Sequence, residues 1–191
     1  SREELLGMTE GVEHAAALLA DTEPSLIVFH CTAVSTWDPA MDSRLCQRIG
    51  TCTATQAATT AQAIINALRA LNAKKVVLIT PYVDEINERE VRFLSHFGIE
   101  TLSVQALGFS HPQEMYAVAP GTWLDLAINA KHEDADAYFI SCTAIRTLPV
   151  IAEIERVLAR PVITSNQVMA WYALRLCGIG DGHVRAGQLF S

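Results

Sequence analysis

The tripeptide Cys-Thr-Ala occurs twice in this sequence, at residues 31–33 and 142–144. A thiolate can add to an activated double bond or remove a proton from carbon, and the thiol can return that proton. Two cysteines on opposite sides of a planar intermediate can therefore work as a pair. The hydroxyl and backbone N–H groups that follow each cysteine suit a carboxylate or an enediolate, as an oxyanion hole does. The repeat predicts a two-thiol site for a small carboxylate.

Each of the two cysteines follows an apolar run typical of a β-strand, Leu-Ile-Val-Phe at 26–29 and Ala-Tyr-Phe-Ile at 137–140. In parallel α/β sheets, ligands bind at the carboxyl edge, where strands end and turns into helices begin. We expect Cys31 and Cys142 to lie at two such edges, in similar lobes that face one pocket. A helix N-terminus after each cysteine can stabilise the thiolate and lower the pKa of the thiol.

Five residues are predicted to contact the substrate. Thr32 and Ala33 follow the first cysteine, Thr143 and Ala144 follow the second, and Tyr82 follows a third predicted strand and can add a phenolic donor. The alternative interpretation is that both cysteines only pack, because buried cysteines are common and usually inert. The repetition of one phrase at two strand ends favours the functional interpretation.

Composition excludes several classes of function. The net charge of −7 argues against binding to a nucleic-acid backbone, which needs clustered Lys and Arg. No apolar run approaches the ~18 residues of a membrane span, and no secretory signal is visible. The five cysteines are odd in number and lack a CxxC spacing. That pattern favours a reducing cytoplasm over a disulfide framework or a zinc site.

Strand and helix patterns alternate along the chain with short links, which predicts an α/β fold with a mostly parallel sheet and helices on both faces. The predicted strands cover 25–30, 74–80, 101–107, 136–141 and 161–164. The predicted helices cover 9–20, 57–71, 86–97, 122–131, 148–159 and a last helix that starts at Ser165. We expect two lobes, the first made of 1–73 with 165–191 and the second of 74–164, with the active site between them.

Several local features are also predicted. Thr9, Thr147 and Ser165 are candidate helix caps. Residues 41–49 are expected to be a short helix or a lid, and 108–120 an irregular loop. His30 is expected to point to the face of the sheet opposite Cys31 and to have a structural role, because side chains alternate along a strand.

Four motifs, spread over nearly the whole chain, carry a family resemblance. They are Phe-His-Cys-Thr-Ala at 29–33, Thr-Pro-Tyr-Val-Asp-Glu-Ile-Asn at 80–87, Ile-Ser-Cys-Thr-Ala at 140–144 and Thr-Ser-Asn-Gln at 164–167. With them the sequence resembles the aspartate/glutamate racemase superfamily, in particular its maleate isomerase and arylmalonate decarboxylase branch. The resemblance implies two flavodoxin-like lobes related by pseudo-twofold symmetry, and catalysis without a metal or an organic cofactor. The family usually opens with a strand and a carboxylate-binding loop, and this chain, which begins at Ser1, starts after them. We therefore expect the first strand of lobe one to be missing.

The resemblance also implies roles for the site residues. In maleate isomerases the first cysteine attacks the double bond and the second handles a proton, which makes Cys31 the nucleophile and Cys142 the general acid/base. Thr32, Tyr82 and Thr143 would hold carboxylate oxygens.

Three functions stay open on the sequence. The first is cis–trans isomerisation of a small dicarboxylate, most simply maleate to fumarate. The second is racemisation of an amino or hydroxy acid, or decarboxylation of an arylmalonate, although the decarboxylases lack a cysteine at the first position. The third is a non-catalytic carboxylate sensor. A small carboxylate is the expected partner in each case, and the sequence leaves a homo-oligomer open.

Overall fold

In the computed structural model, which describes residues 2–180 and 186–191, the strands form two parallel sheets. The first sheet has two strands in the order β1-β2, and the second has four in the order β4-β3-β5-β6. All strand pairs are parallel, as predicted. The strands are β1 (Ile27–Phe29), β2 (Ala57–Thr59), β3 (Lys75–Tyr82), β4 (Glu100–Phe109), β5 (Ala137–Ile140) and β6 (Val162–Thr164).

The helices that connect these strands pack on the sheets. They are α1 (Arg2–Gly7), α2 (Val12–Ala20), α3 (Thr32–Ser35), α4 (Met41–Thr53), α5 (Thr60–Ala70), α6 (Asp84–His96), α7 (Pro112–Ala117), α8 (Pro120–Asn129), α9 (Ile151–Leu158) and α10 (Ser165–Leu176). Short 3₁₀ turns span Leu148–Val150 and Gln188–Phe190.

The four-stranded sheet has an apolar core on each face. Along β3, Val76 and Leu78 belong to a core shared with α5, α6 and α10, while Val77 and Ile79 belong to a core shared with α8 and α9. This division follows from the period of two in a strand, where alternate side chains point to opposite faces. Because β3 and β5 are inner strands buried on both sides, they read as continuous apolar runs. The predicted parallel fold with helices on both faces is confirmed.

Helices α5 and α10 pack against each other and begin in the same way. Thr59 and Gln62 form a capping box at the start of α5, and Thr164 and Gln167 form one at the start of α10. In each box the threonine hydroxyl accepts the N–H of the glutamine, whose side chain accepts the N–H of the threonine. The equivalence of the two starts fits a pseudo-twofold relation. The division into lobes stays a prediction.

Several predicted boundaries are wrong. Residues 57–59 are a strand rather than the start of a helix, because they pair with β1. The predicted irregular loop at 108–120 contains α7, which Pro112 opens at its first turn. Residues 41–49, expected to be a short helix or a lid, belong to the longer helix α4.

The predicted caps also differ. Gly11 in the left-handed conformation, not Thr9, precedes α2, and Thr164, not Ser165, caps α10. Thr147 makes no capping hydrogen bond, and the residues after it form a 3₁₀ turn in which Leu148 is 62% exposed rather than buried.

The C-terminal segment is docked through Gly187, whose φ of 83° and ψ of −178° suit glycine alone. A Cβ there would lie 2.7 Å from Ile151 Cγ2 and 3.0 Å from Glu155 Oε1. We predict that Gly187→Ala lowers the free energy of unfolding by about 2–4 kcal/mol, from strain and the clash together. Urea denaturation measures this, with Gly121→Ala as the matched control because a Cβ at Gly121 meets open space. Equal stabilities of the two variants would contradict the prediction.

Candidate active site

Cys31 lies one residue beyond the end of β1, as the N-cap residue of the one-turn helix α3. Its extended backbone, φ −149° and ψ 111°, places the sulfur against the N–H groups of Ala33 and Val34. Burial raises the pKa of the thiol, and these two N–H groups oppose that shift. The predicted lowering of the pKa is therefore wrong for Cys31, because desolvation of the thiolate outweighs the backbone donors.

Cys142 lies one residue beyond the end of β5 and is 4% exposed. Its φ of 131° lies in a region that residues with a side chain rarely adopt. Such a conformation costs about 1–3 kcal/mol and is typical of functional sites. The N–H of Ala144 donates to its sulfur at 3.2 Å, and the hydroxyl of Tyr82 donates to the same sulfur. Burial nevertheless raises the pKa of Cys142. No helix begins directly after this cysteine, contrary to the prediction, because a turn and then the 3₁₀ segment follow.

The two cysteine turns lie together. The hydroxyl of Thr32 donates to Ser165 Oγ at 2.8 Å, and the N–H of Cys142 donates to the same oxygen at 3.0 Å. The charge of Cys31 contributes to the raised pKa values of Cys142 and Tyr82. Ser165 at the start of α10 thus joins the residue after the first cysteine to the backbone of the second.

His30 forms a second link between the turns. Its Nδ1 lies 3.1 Å from Thr60 Oγ1 and its Nε2 lies 2.9 Å from Asn166 Oδ1. The amide nitrogen of Asn166 in turn donates to the carbonyl oxygens of Thr143 and Ile145. The expectation that His30 points away from the site is wrong, because β1 ends at Phe29 and strand alternation does not extend to the next residue.

Helix α6 forms hydrogen bonds to two parts of the site, the turn at Tyr82 and the second cysteine turn. Thr80 donates to Asn87 Oδ1 at 2.6 Å, and Asn87 donates to the carbonyl of Tyr82 at 3.2 Å, which fixes the turn that carries the phenol. One turn later on α6, the 1% exposed Glu90 accepts a 2.6 Å hydrogen bond from the hydroxyl of Ser141. The carboxyl group of Glu90 is therefore in direct contact with the second cysteine turn.

The structure brings Cys31, Cys142 and Tyr82 together. The hydroxyl of Thr32 is 1% exposed and bonded to Ser165, so it joins the two turns instead of standing free in the pocket. Ala33 and Ala144 contribute N–H groups that face the two sulfurs, and Thr143 is half-buried.

Three residues that support the site, Ser165, Asn166 and Glu90, received no such role on the sequence. The motif Thr-Ser-Asn-Gln at 164–167 was a signal for the first two. A cavity of about 510 Å³ lies beside the second turn, between residues 145–149 and the start of α10, and neither cysteine lines it.

Comparison with known proteins decides the family. The sequence matches the family described as arylmalonate decarboxylase over residues 1–190. The chain belongs to the arylmalonate decarboxylase family. The predicted maleate isomerase and arylmalonate decarboxylase branch is thereby confirmed.

Relatives in the arylmalonate decarboxylase family have two activities in their names. An arylmalonate decarboxylase of Bordetella bronchiseptica is 36% identical over 131 residues, 68% of this chain and 54% of that protein. A maleate isomerase of Geobacillus stearothermophilus is 25% identical over 198 residues, covering 100% of this chain and 79% of that protein. The crystal structure of a cysteine-to-alanine variant of a Pseudomonas putida S16 maleate isomerase with maleate has a TM-score of 0.92 and 25% identity, over 100% of this chain and 79% of that one. The chain thus spans about half of this decarboxylase and about four fifths of these isomerases.

Two further findings concern the described part of this family member. Over 2–180 and 186–191, no group of three or more His, Cys, Asp or Glu residues is arranged to hold a metal ion. Within the same residues, no helix combines the length and apolarity needed to cross a bilayer.

Proposed function

We propose that this chain catalyses the cofactor-independent cis–trans isomerisation of a small dicarboxylate, most simply maleate to fumarate. The observation that carries the proposal is the pair of neighbouring cysteines, in which the charge of Cys31 acts on Cys142 and the two turns share Ser165. Relatives and solved structures named maleate isomerase, one of them with bound maleate, support this choice of substrate.

The reaction starts with Cys31 as a thiolate and Cys142 as a thiol. Cys31 adds to one olefinic carbon, and Cys142 gives its proton to the neighbouring carbon. The new C–S and C–H bonds replace the π bond, so a succinyl group stands on Cys31 and Cys142 becomes a thiolate. Rotation about the central single bond follows. Cys142 then removes a proton from the carbon it protonated, the π bond forms again and the C–S bond breaks, which releases fumarate.

The proposed roles suit the surroundings of the two sulfurs. The N–H groups of Ala33 and Val34 stabilise the Cys31 thiolate when it forms. The phenol of Tyr82 and the N–H of Ala144 stabilise the thiolate that Cys142 becomes after it gives up its proton. We assign Ala33, Tyr82, Thr143 and Ala144 to substrate binding, with the half-buried Ala33, Thr143 and Ala144 nearest to the carboxylates. Thr32, predicted to bind substrate as well, instead holds the two turns together through Ser165.

Decarboxylation of an arylmalonate is the second candidate, because the relative with 36% identity has that name. In such a reaction one thiol would protonate the enediolate left after CO₂ departs, so the second thiol would have no task. The paired cysteines therefore favour isomerisation.

The five cysteines are all free, which supports the proposed cytoplasmic location.

Proton NMR in D₂O distinguishes the candidate reactions. The protein is incubated separately with maleate, phenylmalonate and one enantiomer of aspartate. Isomerisation predicts that maleate signals are replaced by those of fumarate. Release of CO₂ from phenylmalonate would establish the decarboxylase, and deuterium uptake at the α-carbon of aspartate a racemase. Turnover of none of the three, with maleate binding retained, would favour a sensor.

We expect Ser165 Oγ to be important for activity, because it accepts one hydrogen bond from each cysteine turn. Ser165→Ala leaves the buried Thr32 hydroxyl and the Cys142 N–H without their acceptor, a loss of about 1–3 kcal/mol in positioning. We predict a fall in kcat/KM of about 10–100-fold for maleate, since 1.4 kcal/mol is a factor of ten. The exposed Ser43→Ala serves as the control. Activity of Ser165→Ala equal to that of Ser43→Ala would contradict the bridging role.

A further inference from the structure

The two cysteines of the site have similar turns, yet the proposed reaction needs them in different protonation states. Cys142 is buried and Cys31 is half-buried, and both sulfurs face backbone N–H groups, of Ala33 and Val34 at Cys31 and of Ala144 at Cys142. These donors alone do not explain why Cys31 would be the nucleophile and Cys142 the acid. A further group near one of the two must distinguish them.

Glu90 is that group by position. It is 1% exposed on the inner side of α6 and accepts a hydrogen bond from Ser141, the residue directly before Cys142. Its second oxygen, Oε2, is buried and has no hydrogen-bond partner among the described residues. None of the ion pairs found in the described ranges includes it. A buried carboxylate without a cation exerts its negative charge on neighbouring titratable groups through a medium that screens it weakly.

The groups that face Glu90 come from each neighbouring element of the site. β3 contributes the phenol of Tyr82, and the second turn contributes Ser141 and Cys142. Burial is the main cause of the raised pKa of both Tyr82 and Cys142, and the charge of Glu90 adds to it at both. That charge is not among the causes of the shift at Cys31. The carboxylate therefore acts on one cysteine of the pair.

We propose that Glu90 is a positioning residue, whose buried carboxylate opposes loss of the proton from Cys142 but not from Cys31 and so assigns Cys142 the role of acid. The catalytic meaning of this inference rests on the proposed two-thiol reaction. The effect of Glu90 on the proton of Cys142 does not rest on that reaction, because it follows from the position of the carboxylate. Burial raises the pKa of Glu90 to about 7, with the hydroxyl of Ser141 opposing the shift. The carboxyl thus becomes charged as the pH rises through neutrality, before either thiol ionises.

The test measures the ionisation of each cysteine separately. The chain is treated with iodoacetamide over a range of pH, digested with trypsin and analysed by mass spectrometry. Cys31 lies on the peptide 3–44 and Cys142 on the peptide 132–146, and neither peptide holds another cysteine. The variant Glu90→Gln keeps an acceptor for Ser141 and removes the charge. Glu88→Gln, an exposed position on the same helix paired with Arg92, is the matched control.

We expect Glu90→Gln to shift the midpoint of Cys142 alkylation down by on the order of one pH unit, which is about tenfold more thiolate below the midpoint. The midpoint of Cys31 should move by less than half of that shift, and Glu88→Gln should move neither. An unchanged Cys142 midpoint, or equal shifts at both cysteines, would overturn the proposal. If Glu90→Gln does not fold, Glu90→Met gives the same two outcomes.

A second readout depends on stability instead of reactivity. An unfolded glutamate releases its proton near pH 4.5, whereas folded Glu90 holds it to about pH 7. Between these values the folded state binds more protons, so Glu90 makes the wild type lose stability as the pH rises. The free energy of unfolding of Glu90→Gln minus that of the wild type should therefore increase across this pH window and then level off. A constant difference would contradict a buried, titrating carboxylate. Both readouts work on a protein without maleate turnover, so failure of the proposed reaction and failure of this inference remain distinguishable.

Discussion

Cys31→Ser is expected to abolish maleate turnover, with kcat falling at least about 10³-fold. A serine hydroxyl is far less acidic than a thiol and needs a general base to act as a nucleophile. The surroundings of Cys31 supply N–H donors from Ala33 and Val34. These donors can stabilise an anion but cannot remove a proton. A loss of this size corresponds to about 4 kcal/mol of transition-state stabilisation.

The control for this variant is another half-buried cysteine. Cys46 on α4 has a thiol whose pKa burial raises to about 11, and it lies outside the two turns. Cys46→Ser makes the same chemical change and should keep turnover within about twofold of wild type. Equal activity of Cys31→Ser and Cys46→Ser would remove Cys31 from the mechanism, provided both variants unfold at the wild-type urea concentration.

The parts of the fold that the sequence predicts are those set by local patterns of burial. The run from Val76 to Ile79 is apolar on both faces, which suits an inner strand. The strand at 57–59 was missed because Ala-Ala-Thr has little intrinsic β preference. Its extended conformation depends on pairing with β1, a partner 30 residues earlier in the register of Ile27 with Ala57. Long-range pairing of a three-residue strand leaves no local signal.

The start of α10 shows a similar limit. Thr164 and Ser165 are neighbouring hydroxyl residues, and either can cap a helix. The capping box with Gln167 selects Thr164, and this releases Ser165 to accept hydrogen bonds from Thr32 and the N–H of Cys142. The role of Ser165 therefore depends on a contact between turns that are far apart in sequence.

The acidity of the two thiols was predicted with the wrong sign because the prediction used only the local donor geometry. The N–H donors at Cys31 and Cys142 are present, but burial opposes and outweighs them. Desolvation depends on everything packed around a group, including Tyr82 and α6, which no sequence window contains. At neutral pH both cysteines of the free site are therefore mostly thiols, and Cys31 must release its proton to solvent before it attacks.

Cys142→Ser is expected to lose turnover by at least about 10³-fold as well, but with a different chemical result. With maleate, Cys31 still adds to the double bond, and solvent slowly supplies the proton that Cys142 normally gives. The return step needs a base at the same carbon, and a serine hydroxyl is no such base at neutral pH. The succinyl group should therefore accumulate on Cys31 in this variant.

Mass spectrometry distinguishes the two cysteine roles. The peptide 3–44 of Cys142→Ser should gain the mass of one maleic acid, whereas Cys31→Ser should gain none on either cysteine-turn peptide. An adduct on the peptide 132–146 of Cys31→Ser would mean that Cys142 is the nucleophile and that the assignment is reversed. The position of Glu90 argues against that reversal, because a carboxylate next to Ser141 opposes formation of the Cys142 thiolate that would have to attack. The masses of the two peptides thus test which cysteine is the nucleophile and the electrostatic reason for that assignment.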